Sequence, residues 1–431
     1  MTPGGRLAAA IEVIEAMETR HRPVSEALKE WGIAHRFAGS KDRAAIGNMV
    51  YDALRRRDSS RWLWRDASAR AAVVVAFCRS RGLSAAAFDG LVAGDPHAPA
   101  ALTDAERDAL DSADLGDAPD HVRADVPEWL AGRLARSLGM DWVEEGAAMA
   151  ERPPLDIRVN RLKADRDKVA RALAAHGVAE TTLAPDGLRI PPIVGDGRHP
   201  NLQVEPAFQK GWFEIQDEGS QVAALLTGAA PGEQILDLCA GAGGKSLAIA
   251  AAMGNKGQIF ATDSDRSRLA PIFDRMKRAA TRNLQVRPAR ADLSDLEGRM
   301  DIVLLDVPCT GSGTWRRRPD AKWRLSEGAL ADRIADQAQL LDQAVRFLKP
   351  GGRLVYVTCS LLTEENGDQL AAFLARTSGM ELVAPAAMID AAPLSDAARA
   401  ALRPCAGEMG VLMTPRRTKT DGFFVGMMRR G

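Results

Sequence analysis

The sequence has no surplus of charge: its 431 residues carry 57 basic and 57 acidic side chains. That balance argues against a generic polycationic binder of nucleic acid, although patches along the chain can still be basic. There is no long hydrophobic run; nothing approaches the ~20 apolar residues of a membrane span. The layout of a secretory leader is also missing, because acids interrupt the apolar part of the N-terminal "MTPGGRLAAAIEVIEAMETR". That stretch reads as an amphipathic helix with Leu7, Ile11 and Ile14 on one face. These absences predict a cytoplasmic protein with no membrane association. Cysteine is scarce, and five widely spaced residues fit reduced thiols, not a disulfide framework. No CxxC pair or Cys/His cluster suggests zinc, so no metal is expected. No repeat has solenoid spacing, and nothing suggests an obligate dimer, so a monomer is expected.

What is present fits two or three globular domains, with 46% apolar and 26% charged residues. Three zones differ in pattern. Residues 1–140 read as helices, including a segment capped by Ser40 with Ile46, Val50 and Leu54 at helical spacing. The acidic stretch 95–128 reads as a linker with short helical pieces. Residues 141–215 read as a small α+β module: "LDIRVNRLK" alternates like a strand, a helix follows, and "GLRIPPI" is a second strand. Residues 216–431 alternate strand and helix. Strands are expected at 234–240, 257–263, 284–292, 301–308 and 353–359, with a long helix from Ser326 to Leu348 stopped by "KPGG". Apolar strands alternating with helices imply an α/β fold with a doubly wound, Rossmann-like parallel sheet. Such sheets hold ligands at the carboxyl ends of their strands.

The loop "LCAGAGGKS" (238–246) lies at such an end. Its Gly-Lys-Ser ending resembles a triphosphate loop, but that loop needs a glycine where Cys239 stands. An adenosyl-cofactor reading accounts for more. Gly241, Gly243 and Gly244 permit a sharp turn and close approach of a ligand. The helix starting near Gly244 suits the carboxylate of S-adenosyl-L-methionine. Asp263, at the end of the second strand, suits the ribose hydroxyls, and Asp292, expected to end the third, suits the adenine edge. For either aspartate taken alone, a turn or cap is the commoner role.

Two cysteines follow strands, as Pro308-Cys309 and Thr358-Cys359-Ser360, whereas Cys78 and Cys405 read as small buried hydrophobes. A methyl donor beside a thiolate addresses one chemical problem, because carbon 5 of a pyrimidine is a poor nucleophile. A thiolate adding to carbon 6 makes carbon 5 enamine-like and able to attack a methyl sulfonium. Asp306 is placed to stabilise the adduct near ring nitrogen 3. The residues alone do not decide which cysteine attacks.

"LDLCAGAGGKS", "LLDVPCTGSGTWRRRPDAKW" and "YVTCSLLTEEN" resemble three motifs of the RNA 5-methylcytosine methyltransferases, the NOL1/NOP2/Sun family. "FEIQDEGSQVAALL" (213–226) is similar to the family's lead-in to its catalytic domain. The helical start resembles the NusB-like RNA-binding domain of the bacterial 16S ribosomal RNA members, and the middle zone their RRM-like module. The resemblance implies Cys359 as nucleophile, Cys309 as the residue aiding product release, and Asp306 and Lys245 as supporting groups. It implies cofactor contacts from Cys239, Ala240, Gly241, Ala242, Gly243, Gly244, Lys245, Asp263, Asp292 and Asp306. In its context the basic run 315–324 gains a role, with Arg316, Arg317, Arg318, Lys322 and Arg324 gripping RNA phosphates. The target cytosine must also leave its stack. One departure is visible: relatives commonly have Ala-Pro-Gly-Gly-Lys where this chain has Gly241-Ala242-Gly243-Gly244-Lys245, which loosens the turn without removing an N–H donor. The expected partner is RNA, 16S ribosomal RNA first and transfer RNA as the rival. A non-catalytic RNA-binding assembly factor and a P-loop NTPase are the readings from other classes.

Overall fold

A computed structural model describes residues 1–112 and 114–431. They form two compact units. The helical unit comprises residues 1–153, 192–199 and 314–325. The sheet unit comprises 154–191, 200–313 and 326–431.

The helical unit is built on helices Pro3–Arg20, Val24–Ala34, Ser40–Arg55 and Ala69–Arg81, with shorter ones following. In the first helix, Thr2 accepts the Gly5 N–H, and Leu7 and Ile14 are fully buried while Ile11 is half-buried. They pack with Ile46, Val50, Leu54, Val74 and Phe88 in one core. Ser40 is not the cap of its helix; it is the first helical residue, after Gly39. The Asp42 carboxylate accepts the Gly39 N–H at 3.3 Å and takes the capping role. The stretch 95–128 holds two short helices, Asp104–Ser112 and Asp120–Arg123.

Segment 314–325 completes this unit. The last carbonyls of a helix have no partner within it. For helix Ser40–Arg55 two of them are met from that segment: Trp323 Nε1 donates to the Leu54 carbonyl at 2.6 Å and Lys322 Nζ to the Arg55 carbonyl at 3.3 Å. The Arg57 guanidinium lies 3.7 Å over the Trp323 ring.

The sheet unit contains two sheets. The small one has β1 (Leu155–Val159), β2 (Ala179–Glu180), β3 (Gly187–Ile190) and β4 (Phe213–Ile215), all antiparallel in the order β2-β3-β1-β4. Helix Arg166–Ala172 starts at Asp165, whose carboxylate accepts the Lys168 N–H at 2.7 Å. The large sheet has β5 (Gln234–Asp237), β6 (Gln258–Ala261), β7 (Leu284–Val286), β8 (Met300–Asp306), β9 (Leu348–Thr358), β10 (Met380–Leu382), β11 (Val411–Met413) and β12 (Phe423–Arg430). Its order is β10-β12-β9-β8-β5-β6-β7, with β11 beside β12.

From β9 through β8, β5 and β6 to β7 the pairing is parallel. In β8, Ile302 and Leu304 enter one apolar cluster while Val303 and Leu305 enter another, all four fully buried. Burial on both faces explains why this strand reads as a continuous apolar run. The fold is therefore α/β with a Rossmann-like sheet, but that sheet is mixed: β12 runs antiparallel to β9, and β10 and β11 antiparallel to β12. The expected third strand stops at Val286, well short of 292. The α-helix from Glu327 ends at Ala344, and "KPGG" lies in a register shift at the start of β9. Among the described residues no single helix is long and apolar enough to cross a membrane.

Candidate active site

Chain order reverses beside β5, which has β6 on one side and β8 on the other, so loops after β5 and β8 diverge around a crevice. The glycine loop follows β5. Gly243 adopts φ +80°, and a Cβ there would lie 2.5 Å from the Ile272 side chain. Any other residue would be strained and displaced. Helix Gly244–Ala252 begins immediately after it. The turn lacks the family's proline, and Arg275 Nη1 ties it instead, donating to the Ala242 carbonyl at 2.8 Å. Arg275 Nε also donates to Glu214 of β4 at 3.1 Å, linking the loop to the small sheet.

Lys245, on the first turn, is 6% exposed, and its Nζ donates to Asp306 Oδ2 at 2.7 Å. The ammonium lies 5.0 Å from the Phe423 ring centroid. Asp306 ends β8 with its side chain one-third exposed. The ion pair keeps the lysine charge inside and leaves one face of the carboxylate open. Beneath the loop, Asp237 accepts from Ser246 Oγ at 2.5 Å. Burial pushes its carboxyl up to about 7, against the Ser246 hydrogen bond and with help from the nearby Asp306 charge. The Cys239 thiol is driven well above its usual range by burial and by the charges of Asp237, Asp306 and Asp263. It is an apolar wall, not a nucleophile.

Asp263 is almost fully buried two residues past β6; Oδ2 accepts the Gly241 N–H and Oδ1 the Asp265 N–H, each at 2.9 Å. The structure thus joins Asp263 to the glycine loop. Asp292 lies six residues beyond β7, exposed, and its oxygens accept from Ser294 N at 3.0 Å and Ser294 Oγ at 2.8 Å. Its strand-end placement is corrected accordingly: this is a capped turn.

The two cysteines meet. Cys309 follows β8, Cys359 follows β9, and their sulfurs are 3.3 Å apart. The Cys309 thiol is pushed well above its usual range, first by the hydrogen bond with Cys359, then by burial and by the negative charge of its neighbours. Burial first, against the Arg81 charge and with a contribution from Asp111, pushes Cys78, in the other unit, up to about 12.

Sequence reasoning missed the residue that holds the two loops together. Glu365, fully buried, accepts from Thr310 N at 2.9 Å, Thr310 Oγ1 at 2.5 Å and Gln337 Nε2 at 3.0 Å. Gln337 Nε2 also donates to the Pro308 carbonyl at 2.9 Å, and Tyr356 Oη to the Glu365 carbonyl at 2.6 Å. The Pro-Cys loop is thereby pinned to the Thr-Cys loop from both ends. Gly313 N donates to the Cys359 carbonyl at 2.9 Å, and a Cβ on Gly313 would lie 2.3 Å from the Gly422 carbonyl oxygen. The signal was present in "TEEN", but one acid in a turn looks like a cap.

The basic run divides in two. Arg316 is 5% exposed and Lys322 1%, so neither side chain reaches the surface. Burial pushes the Lys322 ammonium down to about 8 despite the Asp125 and Asp58 charges. A phosphate grip is incompatible with that placement. Arg317 is half-buried, and Arg318 and Arg324 are exposed. Among the described residues no group of three or more His, Cys, Asp or Glu could hold a metal.

Comparison with known proteins agrees with this geometry. The family described as "16S rRNA methyltransferase RsmB/F" matches residues 224–429, and a ferredoxin-like domain of RsmF/B-like methyltransferases matches 126–193. Ribosomal RNA small subunit methyltransferase B of Klebsiella pneumoniae subsp. pneumoniae is 36% identical over 268 residues, 59% of each chain. The Cronobacter sakazakii protein of that name is 33% identical over 302 residues, 69% of this chain and 65% of its own. This chain therefore spans about three fifths of the length of the curated relatives it matches. The crystal structure of PH0851 superposes with TM-score 0.72 at 27% identity, covering 100% of this chain and 99% of that one. A methyltransferase homolog from Pyrococcus horikoshii gives TM-score 0.57 at 26% identity over 72% of this chain and 98% of its own. The segment that carries the glycine loop and both cysteines is thus the part of the chain that is similar to the RsmB/F methyltransferases.

Proposed function

We propose that this chain transfers a methyl group from S-adenosyl-L-methionine to carbon 5 of a cytosine in 16S ribosomal RNA, through a transient bond from Cys359 to carbon 6. The substrate follows the names borne by its relatives. The chemistry rests on one observation: two cysteine sulfurs 3.3 Å apart on the sheet edge that also carries the Lys245–Asp306 ion pair.

The residues fit the cofactor. A Cβ at Gly241 would meet nothing nearer than 3.7 Å, so the loop backbone is open to a ligand. Asp263, oriented by the Gly241 N–H, has lone pairs left for ribose hydroxyls. Residues 239–245 would hold the methionine end at the helix N-terminus, and Asp292 would supply an acceptor for adenine. When bound, the cofactor supplies an electrophilic methyl group.

The neighbouring sulfur and burial hold Cys309 above its usual range as a thiol, and the family resemblance gives the attack to Cys359, 3.3 Å away. Its thiolate adds to carbon 6, and the displaced electron pair makes carbon 5 nucleophilic. The Asp306 carboxylate accepts from the exocyclic amine, and the Lys245 ammonium behind it neutralises charge that develops on the ring. After carbon 5 gains its methyl group it gives its proton to water, the C–H electron pair re-forms the carbon 5–carbon 6 double bond, and Cys359 leaves as the thiolate. Cys309, beside the departing sulfur, assists that last step.

Incubation with 16S ribosomal RNA and tritiated cofactor tests this, with the methylated nucleoside identified by mass spectrometry. 5-Methylcytidine is expected, and any other product overturns the carbon-5 reading. Cys359→Ala is expected to lose all transfer; full activity would remove it as nucleophile. Cys309→Ala is expected to accumulate a covalent protein–RNA adduct, a slower band on a denaturing gel. Normal turnover without an adduct would end its role in release.

A further inference from the structure

Cys359 sits in a turn whose two flanking residues are held by one side chain. Asn366 stands just before helix Gly367–Arg376, where an asparagine ordinarily accepts a backbone N–H of the first helical turn. Here it makes no such bond. The side chain, 3% exposed, turns back to the residues on either side of Cys359. Its Oδ1 accepts from Thr358 Oγ1 at 2.5 Å, and its Nδ2 donates to the Ser360 carbonyl at 2.9 Å.

These bonds close a ring. Thr358 Oγ1, having given its proton to Asn366, accepts the Ser360 N–H at 3.2 Å. That order fixes the amide: an oxygen must face the donating hydroxyl, and an N–H must face the carbonyl. Thr358 and Ser360 are fully buried, while Cys359 between them is half-buried. The Cys359 carbonyl accepts the Gly313 N–H at 2.9 Å, and Ser360 Oγ accepts the Leu362 N–H at 3.0 Å. The turn that carries the thiol is thus tied at its entry, at its exit and at its own carbonyl. A helix cap is worth about 1 kcal/mol, and Asn366 forgoes it for this bracket.

We propose that Asn366 is a positioning residue for Cys359: its amide brackets Thr358 and Ser360 and so sets the direction in which the sulfur meets carbon 6 of the base. This rests on the reading of Cys359 as the nucleophile. Asn366 acts through the turn and has no step of its own in the reaction. Direction matters because a misplacement of about 1 Å at the reacting atoms costs on the order of 10²-fold in rate. Aspartate would keep the acceptor but set a second oxygen against the Ser360 carbonyl. Yet aspartate caps a helix as well as asparagine does, so the two roles part at Asn366→Asp.

The test measures methyl transfer by the full chain to 16S ribosomal RNA with tritiated cofactor, across a range of substrate concentrations. Asn366→Asp and Asn366→Ala are both expected to lower kcat by about 10–100-fold, with KM for RNA and for cofactor unchanged. Thr358→Val, which removes the donating hydroxyl, should fall in the same way. Parent kcat in Asn366→Asp beside an impaired Asn366→Ala would make the residue a helix cap and overturn the bracket. The second measurement is alkylation of Cys359 by iodoacetamide in the chain without RNA, followed by peptide mass spectrometry. A small reagent approaches from any open side, so its rate should match the parent's in every variant. An alkylation rate that falls as far as kcat would mean that the thiol has lost its reactivity or its fold, and would overturn positioning. Loss of transfer in Cys359→Ala beside parent kcat in every bracket variant overturns the bracket alone. Full transfer by Cys359→Ala overturns the nucleophile reading and the bracket with it.

Discussion

Lys245 and Lys322 are both almost withdrawn from water, at 6% and 1% exposure, yet their surroundings treat the charge differently. Lys245 meets a carboxylate at 2.7 Å and an aromatic face at 5.0 Å, and its partner Asp306 opens on the cysteine edge. Lys322 donates to a backbone carbonyl at 3.3 Å, while the carboxylates that attract it act only at longer range. The first lysine is positioned as an instrument of chemistry. The second terminates a helix and carries a buried charge as a consequence. A lysine in a motif and a lysine in a basic run look alike in a sequence; direct ion pairing separates them.

The largest expected effect breaks the comparison at its catalytic end. Lys245→Met should lower methyl transfer by about 10²–10³, the scale for removing one preorganised electrostatic group, with the melting temperature near the parent's. A variant within threefold of parent activity would reduce Lys245 to a structural role. Glu365→Gln comes next: its amide would confront donors from Thr310 and Gln337, which costs about 1–3 kcal/mol. A rate loss of about 10–100-fold is expected with unchanged cofactor affinity in calorimetry; equal losses of both would point to general unfolding.

At the other end, Lys322→Met should stabilise the helical unit at pH 7.5 by about 2 kcal/mol. A shift from 10.5 to about 8 corresponds to about 3 kcal/mol, less about 1 kcal/mol for the lost hydrogen bond to the Arg55 carbonyl. Between pH 8 and 10.5 the unfolded chain keeps a proton that folded Lys322 releases, so the parent gains stability with rising pH and the variant's advantage fades. Urea titrations at pH 7.5 and 9.5 measure the gap. A variant less stable at pH 7.5 would mean that attraction to Asp125 outweighs desolvation.

Legibility from sequence followed locality. β5 and β8 announced themselves because strands buried on both faces are apolar throughout, and the cysteines stood out because each sits where such a strand ends. The glycine loop and Asp263 followed from their offset along one β-α-β unit. β12 went unread, so Phe423, the ring beside Lys245, was missed as well. Glu365 was missed because its partners Thr310 and Gln337 come from other loops and helices. Arg316 and Lys322 were taken for surface charges because helix Ser40–Arg55, whose Arg55 bonds the Arg316 carbonyl and accepts from Lys322, lies far earlier in the chain.

That last distance has a consequence in time. Trp323 bonds the Leu54 carbonyl across 269 residues. At about 5–20 residues per second of synthesis, helix Ser40–Arg55 waits on the order of ten to fifty seconds on the ribosome before the side chains that finish its end exist. A helix made before the whole sheet unit is completed only after much of that unit exists, and the segment it waits for is the one that follows Cys309.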